Sequence, residues 1–307
     1  MRTPRRTSVR RAALAALLAA GCGVVHDAPS SALDAALSAL DAAPPVLDAA
    51  LPAPDAEVAG RALVDRPDDD DGAPQVHVLY VLPSDGDDRR LDVDGTLARS
   101  VSAWNGWLAA RTGGLRLRLD TASGALDVTF ARLPSTDAAL AAEGAYIRDR
   151  IERELAVAGL IRPTKLAAVY YDGTTPYSCG GGPWPPTLIG KVAALYLRGA
   201  PPGATPCGDN PISPDGTAAG YLELAMLHEL FHALGGAPAC APSQTLSGHV
   251  SDSPTDLMYA GTESWRPAVV DVGHDDYWGH GRSDCLDLSH SALLVPTPPS
   301  PVLPAGW

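Results

Sequence analysis

The sequence predicts an α/β (α+β) domain on a mixed sheet, with an irregular C-terminal part. Two observations carry this. Between residues 75 and 234, compact apolar runs of strand length alternate with stretches of helical period. After Gly236 that regularity stops, and Gly, Pro, Asp and Ser punctuate the chain. The 307 residues are 46% apolar, enough for one sizeable domain with appendages. A net charge of −13 argues against a nucleic-acid partner, which needs a basic face.

The N-terminus, MRTPRRTSVRRAALAALLAAGC, carries five Arg and no acid, then an apolar run from Ala12 to Ala20. That run is too short to span a bilayer and fits a signal segment over 1–22. Its end, LLAAGC, resembles the lipobox of bacterial lipoproteins. The resemblance implies cleavage before Cys22, lipidation of Cys22, and membrane contact only through that anchor. An ordinary secretory signal is the plainer alternative. Arg5-Arg6 is a loose match to a twin-arginine signal.

Residues 23–73 hold eleven acids against two Arg, and Asp recurs at 27, 34, 41, 48 and 55. Pro44, Pro45, Pro52 and Pro54 would break a heptad helix. A disordered Ala/Pro/Asp tether is expected, ending in the solvated run Asp68 to Asp71. The catalytic-type domain is placed at 74–290, and 291–307 reads as a Pro-rich tail.

The elements follow in order. QVHVLYVLP is a strand closed by Pro83, and 95–111 is a helix with Leu97, Val101, Trp104 and Leu108 on one face. GLRLRLD alternates as a half-exposed strand, and LDVTFARL follows as another. Residues 136–159 read as one long amphipathic helix with Tyr146, Ile147, Ile151 and Leu155 as its stripe. KLAAVYYD and KVAALYLRG are two more strands, separated by the Gly/Pro loop CGGGPWPP. A helix from about Ala218 to Leu234 comes next, capped by Asp215 or Thr217 and ended by Gly235 or Gly236.

Setting Cys22 aside leaves Cys179, Cys207, Cys240 and Cys285. An even number in an exported chain suggests two disulfides. Of three pairings, Cys179–Cys207 and Cys240–Cys285 are favoured, each bracketing one region. No CxxC argues for a metal-binding pair.

The chemistry lies in MLHELFHALGG, residues 226–236. His228 and His232 stand one helical turn apart, so both imidazoles leave the same face and can share a zinc. Glu229 lies beside them and can act as general base for an attacking water, then return the proton to a leaving amine. HExxH is short and arises by chance. A credible helix, the glycines that end it, and GHVSDSPTDLMY at 248–259 add weight.

HELFHALGG followed by DLMY resembles the metzincin zinc peptidases, over roughly residues 217–260. The resemblance implies a zincin fold with a twisted sheet and an active-site helix. It also implies zinc-dependent peptide hydrolysis, His228 and His232 as ligands, Glu229 as base and Met258 in the turn beneath the metal. Metzincins usually write HExxHxxGxxH, and this chain has Pro238 at the last place. His249 is read as the displaced third ligand, since GHVSDSPTDLMY resembles a group of bacterial exported HExxH proteins. Asp252 and His274 are the alternatives.

Tyr259 is either an extra ligand or a core residue, and Asp252 and Asp256 can orient a ligand histidine. Asp271, Asp275 and Asp276 form an acidic loop that calcium could bind, although a solvated loop is the plainer reading. His26 and His77 read as incidental, and His280 and His290 have no assigned role. In the metzincin arrangement the last strand before the active helix is an edge strand, so KVAALYLRG is expected at the edge, pairing with an extended substrate.

The expectation is therefore an exported, monomeric, lipid-anchored zinc endopeptidase acting on protein or peptide. The alternative is an inactive surface binding lipoprotein on the same fold. A third possibility, a site completed by Glu263 from a second helix, leaves DLMY unexplained.

Overall fold

QVHVLYVL forms the first strand, β1 (Gln75–Leu82), with every residue buried. A near-continuous apolar run is what a parallel strand covered on both faces requires. The chain is described from a computed structural model for Asp55 and residues 58–70, 72–183, 190–245, 248–304 and 306–307. The expected signal, Cys22, His26 and most of the tether lie outside these residues.

Helix α1 (Thr96–Arg111) follows β1, then three short strands, β2 (Arg116–Leu117), β3 (Thr121–Ala122) and β4 (Ala125–Leu126). Within GLRLRLD only β2 is a strand, and just after it β3 and β4 make a small hairpin. Strand β5 (Val128–Arg132) leads to helices α2 (Asp137–Ala141) and α3 (Ile147–Val157). These replace the single helix expected over 136–159. Gly144 breaks it at φ +61°, left-handed backbone that glycine adopts without strain, with the Tyr177 ring close by. Tyr146 consequently sits outside the buried stripe, 46% exposed. Strands β6 (Lys165–Tyr171), β7 (Gly180–Gly181) and β8 (Val192–Tyr196) precede helix α4 (Tyr221–Leu234).

The main sheet runs β5-β1-β6-β8-β7. It is parallel except for β7, which pairs antiparallel with β8. The architecture is therefore mixed α/β with a mostly parallel sheet. One face, through Val78, Tyr80 and Tyr170, packs on α1 and α4 residues such as Trp104 and Met226. The other face, through Val81, Val169 and Tyr171, packs on α2 and α3 residues Leu140, Ile151 and Leu155. KVAALYLRG is not the edge. Its core is buried throughout, and the chain just before it folds back as β7 to take that place.

Two segments expected to be loose are part of this body. Arg61 pairs with Asp88 and Asp92, both at 2.8 Å, and stacks on Phe130. Asp55 pairs with Arg132, and Asp65 and Asp68 each reach Lys165 Nζ at 2.6 Å. Asp69 accepts the backbone N–H groups of Ser123 and Gly124, and Asp70 pairs with Arg118. Of the acids that read as solvated, Asp68 and Asp70 thus answer basic residues and Asp69 answers backbone N–H groups, while Asp71 lies outside the described residues. At the C-terminus, β9 (Leu294–Val295) pairs with β2, Leu293 and Leu294 are fully buried, and Trp307 lies under Lys191. The Pro-rich tail thus closes the core.

His77 is not incidental either. Buried in β1, it meets Asp120 at 2.5 Å and Thr129 at 3.0 Å, and Asp120 also pairs with Lys165. Both disulfides form as favoured, Cys179–Cys207 and Cys240–Cys285, with Cα separations of 5.5 and 5.6 Å. They are compatible with an extracellular protein.

A candidate metal centre of three histidines

Helix α4 carries HELFH because the helix is wedged into the core. Leu222, Met226, Leu227, Leu230, Phe231 and Leu234 are all buried. Each such side chain contributes roughly 1.5–3 kcal/mol, so packing rather than capping sets this helix. Its start is not capped by Asp215 or Thr217, whose polar atoms close a local turn with each other. Instead Glu223 reaches back to accept the Gly220 N–H at 2.9 Å and also takes the Ser213 N–H and the Ser100 hydroxyl. Ser100 in turn accepts from Tyr170, which accepts from Trp104. This chain of bonds ties α4 to α1 and β6.

At the C-terminal end Gly235 and Gly236 take φ +128° and +55°, and the chain turns back. A side chain on Gly236 would press against His232 at 3.2 Å. The loop then returns with Gly248 at φ +74°, its carbonyl accepting the Ala237 N–H. Val250 donates to the Met258 carbonyl at 3.0 Å and its own carbonyl accepts from Ala260. That pairing sets His249 beside the DLMY turn.

The result is a triangle of imidazoles. His228 Nε2 and His232 Nε2 are 3.2 Å apart, and His249 Nε2 lies 3.1 Å from each. Nitrogens sharing a tetrahedral zinc at 2.0–2.1 Å are about 3.3 Å apart, so the spacing fits. Protonation fits as well. His228 Nδ1 is 2.7 Å from the Leu257 carbonyl, which only accepts, so Nδ1 carries the hydrogen and Nε2 keeps its lone pair. Burial pushes His228 down to about 3, helped by His249, and burial likewise lowers His232 well below the ordinary range. Three imidazoles turned toward one point could hold a metal ion.

Glu229 stands beside this triangle, in a cleft of about 250 Å³ that it shares with Gly180, Gly182, Tyr196, His232 and His249. Burial pushes its carboxyl up to about 8, against the Gly182 N–H and the charge of Arg148, which pull it down. A side chain on Gly180 would collide with this carboxylate, and one on Gly182 would reach the His232 Cβ at 2.5 Å. The CGGG loop is glycine-rich because backbone must lie flush on the helix here.

Of the remaining expected site residues, Met258 is fully buried, its N–H held by Asp256 at 2.8 Å. Asp256 also accepts from Val272 N–H and the Tyr277 hydroxyl, so it holds the turn. Asp252 does not join the histidines. It is exposed and lies near Asp275 and Asp276. The His274 ring faces the Trp278 carbonyl, and Glu263 is exposed beside Arg266. The Tyr259 hydroxyl accepts the Glu263 N–H, so the packing reading fits it.

Sequence reasoning missed Gly180, Gly182, Tyr196, Arg148 and Trp265. Trp265 donates to the same Leu257 carbonyl that orients His228. The run of three glycines was the one visible signal among these. No protein-family model matches this chain, and no curated protein matches it in sequence.

Proposed function

We propose that the chain is a zinc-dependent endopeptidase of the metzincin kind, exported and held at the cell envelope by a lipid on Cys22. The observation that carries the reading is the convergence of three histidine Nε2 atoms, all within 3.2 Å, beside the one carboxylate lining the cleft among the described residues. The likeness rests on HELFHALGG followed by DLMY, with the third histidine displaced to seventeen residues after His232.

His228, His232 and His249 would hold the zinc, which when bound supplies a Lewis acid for a carbonyl and a more acidic water. The Leu257 carbonyl keeps His228 in the donating tautomer. Glu229 takes the proton of the attacking water and passes it to the leaving amine. The cleft side of β7 offers backbone of Gly180 and Gly181 at the sheet edge, where an extended peptide can lie. This edge takes the part expected of KVAALYLRG.

Zinc content and hydrolysis of an unfolded protein substrate test the reading together. The full chain should hold about one zinc, and His249→Ala should lose most of it. Glu229→Gln should keep the zinc and lose about 10³-fold in hydrolysis. Zinc bound without any hydrolysis by the parent would overturn the peptidase reading and leave the metal site. No zinc at all would remove the metal and the peptidase reading in favour of the binding-lipoprotein alternative.

A further inference from the structure

The described residues contain two other clusters of metal-ligand type, and they differ in one respect. Around Asp65, His77, Asp120 and Asp127, the charges of Lys165 and Arg66 are already in place. Around Asp271, Asp275 and Asp276 there is no ion pair among the described residues. The carboxylate oxygens of these three nevertheless lie within 4.8 Å of one another.

Asp271 is 1% exposed and Asp276 0%, with Asp275 at the rim. Each buried acid has one satisfied oxygen. Asp271 Oδ2 accepts the N–H groups of Tyr277 at 2.9 Å and Trp278 at 2.7 Å, and Asp276 Oδ1 accepts the Ser243 N–H at 2.7 Å. The other oxygens, Asp271 Oδ1 and Asp276 Oδ2, are buried and have no hydrogen-bond partner among the described residues. Two buried acceptors that no protein donor or basic side chain among the described residues answers are costly unless an ion or a water satisfies them, and two carboxylates facing one cluster favour the ion. Burial holds the Asp271 carboxyl above its ordinary range, and the charge of Asp276 adds to this.

We propose that Asp271, Asp275 and Asp276 bind one calcium ion, which clamps the loop carrying His249 to the turn beneath the histidine site. The donors are all oxygen, which selects a hard cation. Calcium takes six to eight oxygen ligands in flexible geometry, whereas magnesium keeps several waters and takes one or two carboxylates, so three converging carboxylates suit calcium. Backbone carbonyls and water complete its shell.

The clamp follows from what each acid already holds. Asp276 grips Ser243, whose carbonyl accepts the Ser251 N–H two residues beyond His249. Tyr277, next in the chain, packs against Phe231 of α4 and donates to Asp256, which holds Met258. One ion would thus brace the inserted loop, the turn and the active helix. The site does not depend on the peptidase reading.

Terbium(III) tests this on the full chain, because Tyr277 and Trp278 adjoin Asp276 and can sensitise its emission. Sensitised emission should saturate at about one ion per chain and be displaced by calcium but not by magnesium. Calcium at about a hundred times its dissociation constant should raise the melting temperature by about 5 °C or more. Asp275→Asn, at the exposed rim, should leave the calcium-free melting temperature unchanged and weaken calcium about tenfold or more. Asp276→Asn should abolish the emission, and His249→Ala should retain the calcium response. Emission that persists in Asp276→Asn, unchanged affinity in Asp275→Asn, or no calcium effect on melting would each overturn the proposal.

Discussion

Asp256 shows how one side chain can govern a site it does not enter. It takes hydrogen bonds from Met258 N–H, Val272 N–H and the Tyr277 hydroxyl, and the next carbonyl in the chain, Leu257, orients His228. Burial pushes its carboxyl up to about 7 against those three bonds. A raised carboxyl contributes stability that is fully present below its unfolded value near 4 and is lost as pH rises through about 7. Asp256→Ala strands several buried donors at once and should cost about 3 kcal/mol or more. For a domain of this size that is a fall in melting temperature of roughly 6–12 °C. A change below about 2 °C would mean that the turn holds without Asp256.

At the scale of elements, β7 and α4 define the cleft between them. Gly180 and Gly182 let strand backbone touch the face of α4 that carries Glu229 and His232. Gly180→Ala should therefore displace the Glu229 carboxylate and, on the proposed peptidase reading, lower hydrolysis by at least about tenfold, since small misplacements of catalytic groups cost that much. Zinc content should stay unchanged, because the Gly180 contact is with Glu229 and not with the histidines. Equal activity in this variant would show that β7 yields and does not position the base. The three glycines were legible in the sequence, but their role was not. Alternation and composition say that a segment is a loop, and only sheet pairing tells which strand reaches the edge.

Across the whole molecule, charge pairing attaches a segment that composition assigns to solvent. Burial raises Asp65 and Asp88, but their hydrogen bonds to Lys165 and Arg61 hold both below the ordinary range. Depressed carboxyls contribute stability present above their unfolded value and lost as pH falls through the folded one. Residues 58–70 should accordingly loosen below about pH 4, ahead of the sheet. Amide protection measured by hydrogen exchange, corrected for pH, should drop in 58–70 between pH 6 and pH 3 and persist in β1 and β6. Equal loss in all three would show that the segment unfolds only with the domain.

The sequence by itself determined the parts that depend on local spacing. Four-residue spacing puts His228 and His232 on one helical face, and apolar runs mark β1, β6 and β8. An even set of cysteines in two brackets allowed the observed pairs. Tertiary structure decided which of the open alternatives between distant residues is realised. His249 rather than Asp252 or His274 meets the helix, because Val250 pairs with the DLMY turn and sets the direction of the returning loop. Gly144 split a helix that periodicity alone had made continuous, because its backbone turns left-handed at φ +61°. Asp68 and Asp271 look alike in a list of charges. One faces Lys165, and the other is buried with an oxygen that no described donor reaches. Periodicity reports which residues share a face of one element, whereas partners across the chain are set by how the elements pack.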